Sequence, residues 1–339
     1  MKQIGPIESA AAWKGQELLN QPAWNESFSA QELAELDEAI RVTSELPIEQ
    51  ISESQFELPS LRERLVRIQY LLEEGSGAVL LKGIPTERYS VDELKRVFWG
   101  MMSHVGTPVS QSATGEKIFS VRNEGFGEKD PKTRGPNTKK KLSYHTDRCD
   151  VISFLCIQPA FQGGENQVVS SISVFNQILE TRPDLLEVLM QPFHYKRHNV
   201  DLGNQQAFTQ QPIFSIHEGH FAANFLRVLI ERAYQDPAIP DMTDSQREAL
   251  DYVETIAADP ELHFSFRQEA GDLVLLNNFV TFHRRREFED APEHPRHLLR
   301  IWLSVPNSRP LHPMFAGNYG SVAAGAIRGG MQPQRNTGV

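Results

Sequence analysis

The stretch LSYHTDRCD (142–150) sets an imidazole and a carboxylate two positions apart, at His145 and Asp147. Of the eleven histidines in the chain, His145 is the only one followed by an acidic residue at that interval. On a β-strand, residues i and i+2 leave the same face. The spacing therefore predicts that His145 and Asp147 project side by side while Thr146 faces away. A hydrogen-bonded His–Asp pair in a core would show the same spacing, so the motif needs a third partner before it means chemistry.

That partner is offered by GDLVLLNNFVTFHRRREFED (271–290), where an apolar strand and a turn-like NNF lead into His283. Two histidines and one carboxylate on one face of an octahedron leave three adjacent positions open, the arrangement of non-haem Fe(II) oxygenases. Zinc more often takes three or four protein ligands in a tetrahedron. Cys149 would join the His145/Asp147 face only if the strand ran straight through Arg148, so the zinc reading stays open at this point. The segment PRHLLRIWLSV (295–305) adds Arg296 and Arg300, four apart and so on one strand face with Leu298 and Trp302. An arginine in an apolar strand needs a partner. With few acids nearby, a ligand carboxylate held by two parallel hydrogen bonds fits that need, a distant Asp or Glu being the alternative.

The surrounding chain predicts a β fold with helices outside it. Ser29 and Glu32 form a capping box ahead of Leu33, Leu36 and Ile40, and Leu61, Leu65, Ile68 and Leu72 mark a second helix. GAVLLKGIP (77–85) reads as a buried strand, and Ser90 to Glu93 opens a third helix. From about 105 onward KIFSV, KLSYHTD, VISFLCI and NQVVSSI read as strands. Helices are expected over about 173–190, 222–235 and 244–257, and strands return in HFSFRQ, GDLVLLNN and HLLRIWLSV. His217 and His220 are expected to flank a hairpin turn at Gly219. Strands at both ends of a region with helices between them suggest a closed or double-sheet β fold. The expected layout is a helical segment at 1–75, a catalytic domain at 76–315 with helical insertions over about 173–260, and a Gly-rich tail at 316–339 whose last ten or so residues are loose.

The chain has 339 residues, 40% hydrophobic and 23% charged, with a formal net charge of -10. That balance argues against nucleic-acid and membrane-surface partners, both of which need a basic footprint. The basic run KDPKTRGPNTKKK (129–141) is a local exception, read as a solvated loop or as a flap over an anionic substrate. Two cysteines, Cys149 and Cys156, give no disulfide framework, no secretion signal opens the sequence, and the apolar runs are too short to span a bilayer. A cytoplasmic protein acting on a small molecule is expected, with a homo-oligomer left open.

Taken together, His145-Thr-Asp147, His283 and Arg300, with GAVLLKGIP, GGENQVVSSISVFNQI and RHLLRIWL around them, resemble the TauD/TfdA branch of Fe(II)- and 2-oxoglutarate-dependent dioxygenases (clavaminate synthase-like) over about residues 75–315. The resemblance implies a mainly β fold with flanking helices, a double-stranded β-helix or jelly roll. It implies Fe(II) held by His145, Asp147 and His283, with 2-oxoglutarate and O₂ as co-substrates. Arg300 would take the distal carboxylate of 2-oxoglutarate, assisted by Arg296. Asn166 stands where the family has a Thr or Ser touching that co-substrate, and Arg284 stands where small residues are common. The implied reaction oxidises a C–H of a small polar or carboxylate-bearing molecule and releases succinate and CO₂. Related halogenases lack the carboxylate ligand, so Asp147 favours hydroxylation or a related oxidation. Ser143, Arg148 and Asn278 are the candidates for substrate contact. Two other readings are a cupin-like metal enzyme without 2-oxoglutarate, which would not need Arg300, and a silent binding module of the same fold.

Overall fold

The computed structural model describes residues 5–21, 23–125, 135–198, 201, 203–204 and 206–333, without the side chain of Pro136. Two antiparallel sheets face each other across a cleft. The larger holds seven strands, running Trp24–Ser27, Ala78–Lys82, Leu273–Asn277, Val151–Gln158, His297–Ser304 and Thr107–Val109, with Ile118–Val121 also paired to His297–Ser304. Every pairing in it is antiparallel except that of Trp24–Ser27 with Ala78–Lys82. The smaller sheet orders His263–Phe266, Asn166–Ser170 and Thr281–Arg285. This is the jelly-roll architecture, mainly β with helices outside.

Side-chain alternation along these strands separates the layers. Val79, Leu81, Val151, Leu155, Leu273, Leu275, Leu299 and Ile301 face outward onto the helices Ala30–Val42, Leu61–Glu73 and Val91–Ser103. The intervening Leu80, Ile152, Val274, Leu276 and Trp302 face the smaller sheet. Full burial of such a side chain contributes roughly 1.5–3 kcal/mol, so this two-faced pattern fixes the register. On the far side of the smaller sheet, Val169 and Phe282 pack with the helices Ser171–Thr181, Pro183–Leu189 and Asp244–Ala257.

The capping boxes at Ser29/Glu32 and Ser90/Glu93 form as expected, and His217 and His220 flank a hairpin whose turn residues Glu218 and Gly219 have φ of 51° and 84°. Four expectations change. The helix expected over 173–190 is two, because the ring of Pro183 ends the first at Thr181 and starts the second. The one expected over 222–235 is shorter, Arg227–Tyr234, since His220–Ala223 is a strand. The N-terminal segment is not wholly helical; Trp24–Ser27 extends the larger sheet. KLSYHTD forms no strand, only a bridge between His145 and His283.

The tail is tied to the body as far as residue 333. Arg328 donates its Nε to Asp150 at 2.6 Å with both side chains essentially dry, and Gly330 N–H and Met331 N–H donate to Arg148 and Ser110 carbonyls. Looseness was expected of the last ten or so residues; Gly330, Met331 and Gln332 are instead hydrogen-bonded to the body, and residues 334–339 lie outside the described residues, as does the first part, 129–134, of the basic run 129–141.

Candidate active site

His145 and His283 exchange backbone hydrogen bonds at 3.0 and 3.1 Å, which sets their imidazoles on one side with ring centres 4.4 Å apart. Past that bridge the chain turns away from the strand. Thr146 N–H donates to the Phe225 carbonyl while its hydroxyl accepts from Phe225 N–H. The amide of Asn278 accepts from Asp147 N–H at 2.8 Å and donates to Cys149 Sγ at 3.1 Å. His145 and Asp147 therefore meet through a bridge and an amide clamp rather than through two positions of a regular strand.

Among the described residues, His145, Asp147 and His283 form the one group of three potential metal ligands, with donor atoms all within 4.8 Å of one another. Asp147 Oδ2 lies 3.4 Å from His283 Nε2 and 4.0 Å from His145 Nε2, and it is buried with no hydrogen-bond donor on it. Adjacent ligands of an ion about 2.1 Å from each atom lie about 3 Å apart, so the three donors converge on one point and need only small side-chain rotations to close on an ion. His145 Nδ1 lies 2.9 Å from the Ser143 carbonyl, which takes its proton and leaves the Nε2 lone pair facing Asp147. Burial, with the charge of His283 beside it, pushes His145 down to about 4, so it is a neutral donor near pH 7. Burial alone would raise Asp147, but His283 and the charge of Arg300 outweigh it and hold the carboxyl well below its ordinary range. The residues present thus fit a divalent cation. Cys149 does not join them: it is fully buried, its thiol is pushed well up by burial, and its sulfur is engaged by Asn278.

The cleft beside these three residues has a volume of about 1020 Å³. Arg300 and Arg296 project into it from the larger sheet, each only 5% exposed. Arg300 donates Nε to Gln111 at 2.6 Å, and its guanidinium lies between the rings of Phe119 and Trp302 at 5.2 and 5.0 Å. One terminal nitrogen of Arg300 and one of Arg296 are buried without an acceptor. Burial pushes both arginines down, Arg296 to about 10. Two dry cations, each with a nitrogen lacking an acceptor in an open cleft, are what a ligand carboxylate would complete. Asn166 lines the same cleft, its amide donating to Gln268 at 3.2 Å.

The substrate candidates divide. Ser143 and Arg148 line the cleft. Asn278 does not; its side chain is fully buried beneath Asp147 and positions that residue's backbone. Gln111, Asn318 and Met331 reach the site or the cleft without having been singled out, because nothing local marks them.

Sheet order and cleft define a jelly-roll protein with a three-donor cluster suited to a divalent cation at the cleft. Residues 43–302 match the taurine catabolism dioxygenase TauD, TfdA family, and the chain belongs to that family. It is 29% identical to FR-33289 synthase of Streptomyces rubellomurinus over 315 residues, 90% of this chain and 92% of that protein. It is also 29% identical to the taurine hydroxylase-like protein SAT17 of Stachybotrys chartarum, over 89% of this chain and 80% of that one. A solved structure of asparagine oxygenase with Fe(II), 2S,3S-3-hydroxyasparagine and succinate shares the fold, with a TM-score of 0.64 at 13% identity over 82% of this chain and 93% of that chain. The protein is accordingly a non-haem Fe(II)- and 2-oxoglutarate-dependent dioxygenase that uses O₂. Among the described residues no helix is long and apolar enough to cross a membrane.

Proposed function

We propose that His145, Asp147 and His283 hold the iron and that Arg300, assisted by Arg296, takes the far carboxylate of 2-oxoglutarate. The observation that carries this reading is the pairing of a three-donor cluster within 4.8 Å with a buried, incompletely bonded arginine in one cleft. Bound at the cluster, iron supplies the coupling of 2-oxoglutarate decarboxylation to C–H oxidation. One oxygen atom of O₂ leaves in succinate and the other enters the product alcohol, with CO₂ released. The chain's own part is placement and dryness. The Ser143 carbonyl fixes the His145 tautomer, Asn278 sets the Asp147 backbone, and Phe154, Leu298 and Trp302 keep the cleft wall apolar. Asn166 and Ser143, which line the cleft, would contact co-substrate and substrate respectively in this reading.

The unit from about residue 76 to 315 is the catalytic domain in this reading. The prime substrate is a small polar molecule bearing an anionic group, oxidised in the cytoplasm, whose reducing poise suits two buried unpaired cysteines. The test is anaerobic titration with Fe(II), then 2-oxoglutarate, then O₂ and a panel of small metabolites, with succinate as the readout. Asp147→Ala and His283→Ala should each lose saturable Fe(II) binding and succinate release. Full iron affinity in either variant would remove that residue from the ligand set.

A further inference from the structure

The cleft is more cationic than one dicarboxylate requires. Eleven lysines and arginines line it against three acidic residues, in a chain whose net charge is -10. The excess is unevenly placed. Arg227 is matched by three carboxylates, Glu231, Asp251 and Glu254, at 2.7, 2.6 and 3.1 Å. For Arg148 and Arg197 the ratio inverts: they share a single carboxylate, Asp201, at 2.8 and 3.2 Å. The three side chains are 9%, 10% and 0% exposed, and no second carboxylate lies within ion-pair distance of either arginine among the described residues. Asp201 is further committed, accepting from Gln332 N–H at 2.7 Å.

Arg197 spends its remaining nitrogens on the Gln206 and Gly317 carbonyls. Arg148 does not reach such acceptors. One terminal nitrogen faces Asn318 Oδ1 at 3.2 Å besides Asp201, the other has only Met331 Sδ at 3.1 Å, and Nε is buried without a partner. A thioether is a weak acceptor, so Arg148 keeps a net charge and unspent donors in a nearly dry site, an arrangement that costs stability unless something anionic completes it.

We infer that Arg148, with the charge of Arg197 behind it and Asp201 bridging the two, forms the anion-binding subsite for the prime substrate, taking a carboxylate or tetrahedral oxyanion. This deepens the oxygenase reading and rests on it. Arg148 directly follows Asp147, so an anion bound there leaves the rest of its molecule beside the metal ligands. Arg300 and Arg296, proposed for 2-oxoglutarate, come from the His297–Ser304 segment and its lead-in, and neither is paired with Asp201. The tail preorganises it. Gly330 N–H donates to the Arg148 carbonyl at 2.7 Å, and a Cβ on Gly329, whose φ is 80°, would stand 2.6 Å from that same oxygen. Arg148 is thus held through backbone and side chain by residues that only glycines allow so close.

The test titrates the full chain, loaded with Fe(II) and 2-oxoglutarate without O₂, with methylphosphonate and separately with acetate. Binding is followed by calorimetry and, for the phosphonate, by ³¹P line width. Saturable binding of at least one probe is expected, weakened about tenfold or more in Arg148→Gln and in Arg197→Gln, with Fe(II) and 2-oxoglutarate affinities unchanged. If Arg148→Gln does not fold, Arg197→Gln decides. Absence of saturable binding by both probes, equal binding in the folded variants, or binding seen only by displacing 2-oxoglutarate would overturn the inference. The same titration on the metal-free protein separates the two readings. Probe binding that persists while Asp147 and His283 prove irrelevant to iron strikes the ligand assignment and leaves the subsite standing.

Discussion

At Arg300 a single side chain meets three constraints at once. Its Nε is bonded to Gln111, its faces are covered by Phe119 and Trp302, and one terminal nitrogen has no acceptor. Removing it should delete a charge-assisted pair in a dry pocket. Arg300→Ala is therefore expected to raise the 2-oxoglutarate dissociation constant by about 10–100-fold while leaving iron affinity intact, measured by anaerobic titration of each ligand. Gln111 acts one step back. Its amide donates to the Arg300 carbonyl at 2.9 Å and to the Lys117 carbonyl at 2.8 Å while accepting from Nε. Gln111→Leu should loosen the guanidinium without removing its charge, giving a KM for 2-oxoglutarate raised by less than in Arg300→Ala and a kcat close to wild type. A kcat loss with unchanged KM would show that Gln111 acts elsewhere. The two arginines were legible in the sequence because an apolar strand has no other reason to carry them. Gln111 was not, since a glutamine 189 positions away announces nothing about its partner.

Two elements carry the site without touching substrate. The helix Val91–Ser103 packs Gly100 against the face of Phe56, where an added Cβ would stand 2.3 Å from the ring. Gly100→Ala should destabilise the fold by about 1–3 kcal/mol through overpacking, read as a lower urea midpoint with unchanged slope. The tail is the second element. Arg328 and Asp150 are both fully buried and 2.6 Å apart, with Asp150 also accepting from Val305 N–H at 2.9 Å. Arg328→Ala leaves a carboxylate dry and without its cation, a loss of about 3–5 kcal/mol. Thermal unfolding should show it as a clear drop in midpoint, and a wild-type midpoint would refute the importance of the pair. Element by element, the buried strands and the His217/His220 hairpin were read correctly from sequence, whereas the alternation of KLSYHTD did not make a strand. The break before Pro183 and the strand His220–Ala223, where a helix was expected, were missed because continuous apolar content obscured local punctuation.

For the whole molecule, a site assembled between two sheets links ligand binding to global stability. Iron bound only by the folded state stabilises it by about 2.7 kcal/mol at a hundredfold excess over its dissociation constant. Anaerobic thermal melts should show a midpoint raised by Fe(II), and raised further by 2-oxoglutarate only when the metal is present. In Asp147→Ala neither increment should appear; in Arg300→Ala the first should survive and the second should shrink.

Composition, capping residues and strand alternation indicated a β fold wrapped in helices, since each depends on residues within a few positions of one another; the short spacing of His145 and Asp147 marked two candidate ligands, and the third, His283, needed a second, distant motif. What the tertiary structure decided is everything built from distant chain. The Asn278 amide that aims Asp147 comes from 131 residues away, and the Met331 sulfur on Arg148 comes from 183. It also decided that His145, Asp147 and His283 meet through a bridge and a turn, and that two arginines share one aspartate. Such contacts are set by how the sheets close and where the tail returns, and no local pattern encodes that closure.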